Sequence, residues 1–234
     1  MLFSGYLRKM EYDGLDPVVY YLVLANYSSE DLAKKSSVKN PPVITKSPVS
    51  INSFLGKKIA LKFNGDIRCV DCGRVTSKSY KDGSCYVCFM NLAKHDFCIL
   101  NPVNCHFHLG TCREPEWGKT NCFKKHKVYL SNTSGLKVGI TKETPITNRW
   151  IDQGAMFGIE IFEVESRKDA GIIENEIRKF ISDKTQWQKM VSGDSVKLNL
   201  AEKKSEIFSQ VKEKIQGVAK KISIEDEMKI SYPI

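Results

Sequence analysis

The sequence predicts an α+β protein, and three observations carry that expectation. Residues 1–66 alternate strand-like apolar runs with turn signals, which reads as a β-rich module. Residues 67–125 hold all eight cysteines, within 54 consecutive positions. From His126 to residue 190 the chain reads as hairpin, helix, strand and helix, and residues 191–234 add a helical extension.

In the first module, Val18 to Leu24 is a continuous apolar run of strand length, and Lys58 to Phe63 reads as a second strand closed by Asn64-Gly65. Lys34 to Ser50 is rich in Lys, Ser and Pro and is expected to be a surface loop. No motif in this module points to a function.

The middle segment opens with Cys-Val-Asp-Cys, then twelve residues, then Cys-Tyr-Val-Cys. Paired thiolates at this spacing can face one ion, and soft sulfur ligands in a tetrahedral set favour Zn²⁺. Cys69, Cys72, Cys85 and Cys88 are therefore the candidate ligands of a zinc ribbon. The intervening Val-Thr-Ser-Lys-Ser-Tyr stretch is β-prone and Asp82-Gly83 is a hairpin signal, so a two-stranded ribbon is expected to return the second pair to the first. Two disulfides are the alternative, which an exported protein would favour. The first apolar stretch, Val18 to Ala25, follows acidic residues and lacks the basic flank of a secretory signal, and no run reaches the length of a membrane span. These features predict a cytoplasmic protein with no membrane association, where clustered cysteines mean metal.

Cys98, Cys105, Cys112 and Cys122 form a second cluster, with His95, His106, His108 and His126 in or beside it. Their spacing matches no ribbon pattern. A second structural zinc ion on the four cysteines is expected, with His106 or His108 able to replace one of them; buried, unliganded thiols are the alternative. Pro102, Gly110, Pro115 and Gly118 interrupt regular structure there, so metal would supply ordering energy.

Beyond His126, Lys127 to Ser131 and Leu136 to Thr141 read as strands around the turn Asn132 to Gly135. Pro145 opens a helix to about Met156 that carries Arg149 and Trp150. Gly158 to Glu165 alternates apolar and acidic residues as a half-buried strand does. Ser166 can cap a helix from Arg167 to Ile181 with Ile172, Ile173, Ile177 and Phe180 on its apolar side. Ala201 to Lys221 is a further amphipathic helix, expected to pack on the core, with partner binding as the alternative. The formal charge of +9 falls to +5 if two tetrathiolate zinc sites each contribute −2, so a basic bias survives. It suits a nucleic-acid partner. Lys78, Lys81, Lys119, Lys124, Lys125, Lys127, Lys137, Lys142 and Arg149 are candidate phosphate contacts, and Tyr80, Tyr86 and Trp117 candidate stacking residues; an ordinary solvated surface is the alternative for each.

The segment from His126 to about Ile181 resembles a GIY-YIG nuclease domain. Tyr129 stands where the first motif places its tyrosine, and Lys137-Val138-Gly139 where the second reads Tyr-Ile-Gly. Arg149 and Glu174 occupy the places of that family's arginine and metal-binding glutamate, and Lys137 replaces its second tyrosine. The resemblance implies a divalent-metal-dependent endonuclease. Glu174 would hold Mg²⁺ or Mn²⁺, Arg149 would clamp a phosphate, Tyr129 would act as or position the base, and Lys137 would add charge. The structural alternatives are a core aromatic for Tyr129, a surface ion pair for Arg149 and a solvated position for Glu174. On a regular strand His126 and Tyr129 face opposite sides, so only one of them would line such a site.

A longer span, Cys69 to Trp187, resembles a prokaryotic domain-of-unknown-function family, number 2797, through C-V-D-C-G-R, G-S-C-Y-V-C-F, G-T-C-R-E-P-E-W-G, K-V-G-I-T, R-W-I-D-Q-G-A and D-K-T-Q-W. That resemblance brings no activity. The sequence therefore leaves two functional readings: a nucleic-acid-cleaving enzyme, or a noncatalytic zinc module that binds RNA, DNA or protein on a degenerate nuclease scaffold.

Overall fold

The computed structural model describes residues 1–28, 41–142, 145–181, 188, 198–219, 221–222 and 226–233. It is an α+β structure of two compact units, Met1–His95 with Tyr232–Ile234, and Asp96–Ser231. The division falls inside the cysteine-rich stretch and puts the first four cysteines in one unit and the last four in the other. No helix among the described residues is long and apolar enough to cross a membrane.

In the first unit, strand β3 (Val19–Tyr27) is the centre of an antiparallel sheet. Strands β1 (Tyr6–Leu7) and β2 (Glu11–Asp13) pair in succession along one edge, and β4 (Ile44–Ser50) pairs along the other. Val23, Leu24 and Ala25 are buried, as the apolar run anticipates. Two expectations are corrected. Ile44–Ser50 is a strand rather than loop: Pro48 sits opposite Val23, and an edge strand tolerates a proline whose missing N–H faces away from the ladder. Residues 29–40 lie outside the described residues. Lys58 to Phe63, expected as a strand, pairs with no strand among the described residues, and Ile59, Leu61 and Phe63 are exposed.

The second unit is built on an antiparallel sheet in which β5 (His126–Asn132) lies between β6 (Leu136–Lys142) and β7 (Phe157–Val164). Strands β8 (Lys221–Ile222) and β9 (Met228–Lys229) pair with the outer edge of β7. The β5–β6 register is uninterrupted. On the other side the pairing shifts, from Val128↔Phe162 to Tyr129↔Glu160, so that Ile161 is the extra residue of a bulge. The bulge turns both Ile161 and Phe162 toward the core, beside Val128, Leu130 and Ile159. It leaves β5 regular, and Tyr129 faces away from that core while His126 does not.

Helix α5 (Arg167–Ile177) covers the core face with Ala170, Ile173 and Ile177, and the Ser166 hydroxyl caps it by accepting from the Asp169 N–H. It ends a turn earlier than expected, so Phe180 is exposed instead of apolar-face core. Helix α6 (Leu200–Val211), capped by Asn199, adds Leu200, Ile207 and Val211. It too stops short of the expected end, giving way to a 3-10 turn at Lys212–Ile215 whose Ile215 still reaches the core. Helix α4 (Ile146–Asp152) carries Trp150, almost wholly buried. The first unit also holds short helix α1 (Tyr86–Asn91), and the second holds short helices α2 (Phe97–Leu100) and α3 (Pro115–Asn121). The Pro102–Asn104 turn approaches α5 so closely at Gly171 that a Cβ there would overlap the Pro102 ring.

Ile173 is fully buried where α5 meets the sheet. Ile173→Ala is expected to cost about 2–5 kcal/mol, read as a lower urea midpoint by tryptophan fluorescence; a cost under about 1 kcal/mol would contradict this packing.

Candidate metal centre and a tyrosine-centred polar site

The first cysteine pair sits in a tight turn: the Cys69 N–H donates to the Arg74 carbonyl and the Gly73 N–H to the Cys69 carbonyl, each at 2.9 Å. Asp82 and Gly83, at φ 50° and 85°, form the predicted turn, which brings Ser84 back to bridge Lys81. The expected ribbon strands are reduced to the single bridges Arg68↔Val75 and Lys81↔Ser84. The second pair opens helix α1 instead, with Cys85 at its N-cap and Cys88 three residues on, so one helical turn aligns both sulfurs.

All four thiols are free and buried, and their sulfurs lie within 4.8 Å of one another. Zn–S bonds of about 2.3 Å in a tetrahedron set sulfurs about 3.8 Å apart. Cys72 Sγ and Cys85 Sγ are 3.8 Å apart, and the Cys85 N–H donates to Cys69 Sγ at 3.2 Å. Burial is the largest influence on the Cys69 thiol and pushes it up, but N–H groups of Cys72, Cys85 and Asp71 outweigh it and bring it down to about 7. Burial pushes Cys72 and Cys88 up. One thiolate is thus stabilised by the backbone, whereas Cys72 and Cys88 would need a cation to ionise. The donor set fits a metal such as zinc. Around it, Asp71 holds Ser84 and Lys94, and Ser84 Oγ lies 2.7 Å from His95 Nε2.

The second cluster is looser. Cys98, Cys105 and Cys122 border a cavity of about 10 Å³, the room of one water-sized sphere, together with Pro102 and Arg167. Burial pushes Cys98 up to about 11, and the nearby Asp96, Cys105, Cys122 and Cys112 add to it. The four sulfurs are not gathered as the first four are; Cys98 groups instead with Asp96 and His106, while His108 is exposed.

Of the remaining predicted site residues, Arg149 meets Tyr129 and Glu174 lies within its electrostatic reach. The Tyr129 ring is fully buried, edge-on to Trp150 with centroids 6.1 Å apart, and its hydroxyl donates to Gln153 Oε1 at 3.0 Å. A Cβ on Gly139, its cross-strand neighbour, would overlap that hydroxyl. The glycine of Lys137-Val138-Gly139 is therefore needed because the phenol occupies the space. Burial pushes the phenol up to about 12; the Arg149 guanidinium, which also hydrogen-bonds it, opposes the shift and Glu174 reinforces it. Arg149 is exposed on α4, Lys137 is half-buried on β6 opposite Ser131, and Glu174 is buried on α5 with Arg178 3.3 Å from its carboxylate. His126, on the other face of β5, donates its Nδ1–H to the Lys124 carbonyl at 2.7 Å and is not part of this group.

Two residues of this region escape sequence reasoning. Glu160, opposite Tyr129, is buried in an ion pair with Lys127 at 2.6 Å. Arg167 donates Nη2 to the Ile99 carbonyl at 2.7 Å and lies within electrostatic reach of Cys98, Cys122, Glu174 and Arg149. A cation in a helix's first turn opposes the helix dipole, and that anomaly is the signal that could have found Arg167.

Two outcomes follow from this geometry. Purified protein should carry zinc at the first site, and Cys72→Ser should remove one equivalent by elemental analysis; unchanged stoichiometry would exclude this centre. The Tyr129 phenol, raised in the folded state, stabilises the fold fully below pH 10 and progressively less as pH rises toward about 12. Ultraviolet titration should therefore lose a late phenol transition in Tyr129→Phe, and a variant curve identical to the parent would refute the assignment.

No curated protein and no solved structure matches the chain. Residues 56–234 match the model of a family described as a protein of unknown function, DUF2797, and the chain belongs to that family.

Proposed function

We propose that the protein binds nucleic acid and cleaves its phosphodiester backbone at the Tyr129 site, while zinc stiffens the loops that take part in binding. The observation that carries this reading is the meeting of Arg149 and Gln153 at one buried phenol, with Glu174 within electrostatic reach of it. It agrees with the resemblance of residues His126 to Ile181 to a GIY-YIG domain.

The phenol stays protonated at neutral pH and gives its hydrogen to Gln153, so Tyr129 positions Gln153 and Arg149 instead of removing a proton from water. Arg149, exposed and next to the phenol, can turn its fork to a phosphate and offset charge developing on it. Lys137 adds a second positive group from the adjacent strand. Glu174 supplies one hard oxygen ligand, which suits Mg²⁺ or Mn²⁺, ions that share carboxylates with substrate phosphates. Such an ion, when bound, offsets phosphate charge and acidifies water. Arg178 must then release the Glu174 carboxylate.

For binding, Lys78 lies over the Tyr80 ring at 4.8 Å, and exposed Tyr80 and Tyr86 are 5.2 Å apart, a combination suited to base stacking beside a phosphate. Lys119, Lys125 and Lys127 contribute less, because Glu116, Glu163 and Glu160 already pair with them. A second zinc ion within the Cys98–Cys122 segment belongs to the same reading. The bond between Glu174 and Arg178 favours the noncatalytic version, in which the scaffold binds RNA or DNA and cuts neither.

Incubated with Mg²⁺ or Mn²⁺, the protein should nick a branched, single-stranded or RNA substrate. Glu174→Gln should abolish nicking and Arg149→Ala should slow it about 10²–10³-fold, with salt-sensitive binding retained in Glu174→Gln. Salt-sensitive binding with intact substrate would support the noncatalytic version, and absence of both would overturn the proposal.

A further inference from the structure

We infer that the second metal ion is held by Asp96, Cys98 and His106, with a neighbouring thiol as fourth donor, and not by four cysteines. The inference rests on the second zinc ion of the reading above and specifies its ligands. A carboxylate oxygen of Asp96, the Cys98 sulfur and a ring nitrogen of His106 lie within 4.8 Å of one another, the second such set among the described residues after the four buried cysteines.

Hydrogen bonds pre-arrange two of the donors, Asp96 and His106. Asp96 Oδ1 accepts from the Phe97 N–H at 2.6 Å, which fixes the carboxylate and turns Oδ2 outward. His106 Nδ1 lies 2.7 Å from Thr111 Oγ1, and that hydroxyl also lies 3.3 Å from the His106 carbonyl. The carbonyl can only accept, so the hydroxyl spends its hydrogen there and accepts from Nδ1–H. The remaining nitrogen, Nε2, then carries the lone pair in the neutral ring, and it faces Asp96 Oδ2 at 3.4 Å. A lone pair turned to a carboxylate oxygen calls for a cation between them. Metal-bound histidines are commonly oriented by such an outer hydrogen bond on the opposite nitrogen. Arg113 Nε, 3.3 Å from the same oxygen, would be the outer partner that steadies the carboxylate.

Borderline-soft Zn²⁺ accepts oxygen, nitrogen and sulfur together. The fourth donor comes from Cys105 or Cys122, which share the small cavity with Cys98. Cys112 is left as a thiol packed near Gly118 of α3.

The test uses the full chain and elemental analysis. The parent should hold two zinc ions. Asp96→Asn, Cys98→Ser and His106→Gln should each retain one, and Cys112→Ser should retain two; retention of the first ion reports that each variant is folded. Cobalt-loaded protein should give thiolate charge-transfer absorbance for about six sulfurs per chain. Two ions in Asp96→Asn and His106→Gln, with loss in Cys112→Ser and absorbance for about eight sulfurs, would overturn this ligand set and leave the second ion standing. One ion in the parent would overturn both, the His106–Asp96 contact then being an imidazolium–carboxylate pair.

Discussion

Strand β5 lies between two hydrogen-bonded neighbours and is buried along both faces, so each of its side chains has to be matched from β6, β7 or a helix. Val128 and Leu130 meet that demand with apolar contacts. Tyr129 cannot, because a buried hydroxyl without a partner costs roughly 1–3 kcal/mol. Gln153 provides the acceptor, Trp150 the wall and Gly139 the space. Trp150 stands on α4 and Gln153 caps it, while Gly139 stands on β6, so fixing one phenol also fixes α4 and β6 around it. The bulge at Ile161 is part of the same solution: it lets Phe162 join the core while Glu160 stays on the tyrosine's face, neutralised by Lys127.

The cysteine-rich segments obey a different constraint. Around the first metal centre the buried apolar cluster is little more than the four cysteines and Leu92. Regular structure there amounts to single bridges and one short helix. With so little apolar area, a metal ion on the four thiols would supply ordering energy to the turns, its binding energy becoming folding energy. The 3-10 turns between Phe97 and Cys122 have an apolar anchor of their own in the contact of Pro102 with α5.

What was legible in the sequence was whatever depends on local periodicity and turn chemistry. The run Val18 to Leu24, the hairpin at Asn132 to Gly135, the Ser166 cap and the Asp82-Gly83 turn all stand where local rules put them. The failures need partners that sequence does not display. Lys58 to Phe63 has a strand's composition and no strand beside it, whereas Ile44–Ser50 has a loop's composition and β3 beside it. Phe180 continues an apolar face, but the helix beneath it has already ended. At the candidate sites, C-x-x-C spacing named the four cysteines that the fold gathers, while Asp96, two residues before Cys98, carried no spacing signal that could separate it from any helix cap. Glu160 and Arg167 were hidden because their burial is decided by the sheet register and by the turn at Ile99.

On the proposed function, burial would divide the work among Tyr129, Arg149 and Glu174. A phenol pushed up to about 12 cannot serve as a base at neutral pH, and it is held too firmly between Gln153 and Gly139 to travel with a substrate. Arg149 has the opposite character: exposed on a short helix, it can exchange its bond to the phenol for one to a phosphate without leaving a buried charge unpaired. Glu174 is intermediate, buried but joined to the more exposed Arg178, so a divalent ion would compete with a guanidinium that has water to turn to. A partly solvated ion pair is worth roughly 0–1 kcal/mol, small beside the attraction of a divalent cation for a buried carboxylate. On the proposed function, the pairing of Glu174 with Arg178 would therefore be a weak barrier to loading, and catalysis would require both Arg149 and Arg178 to turn outward.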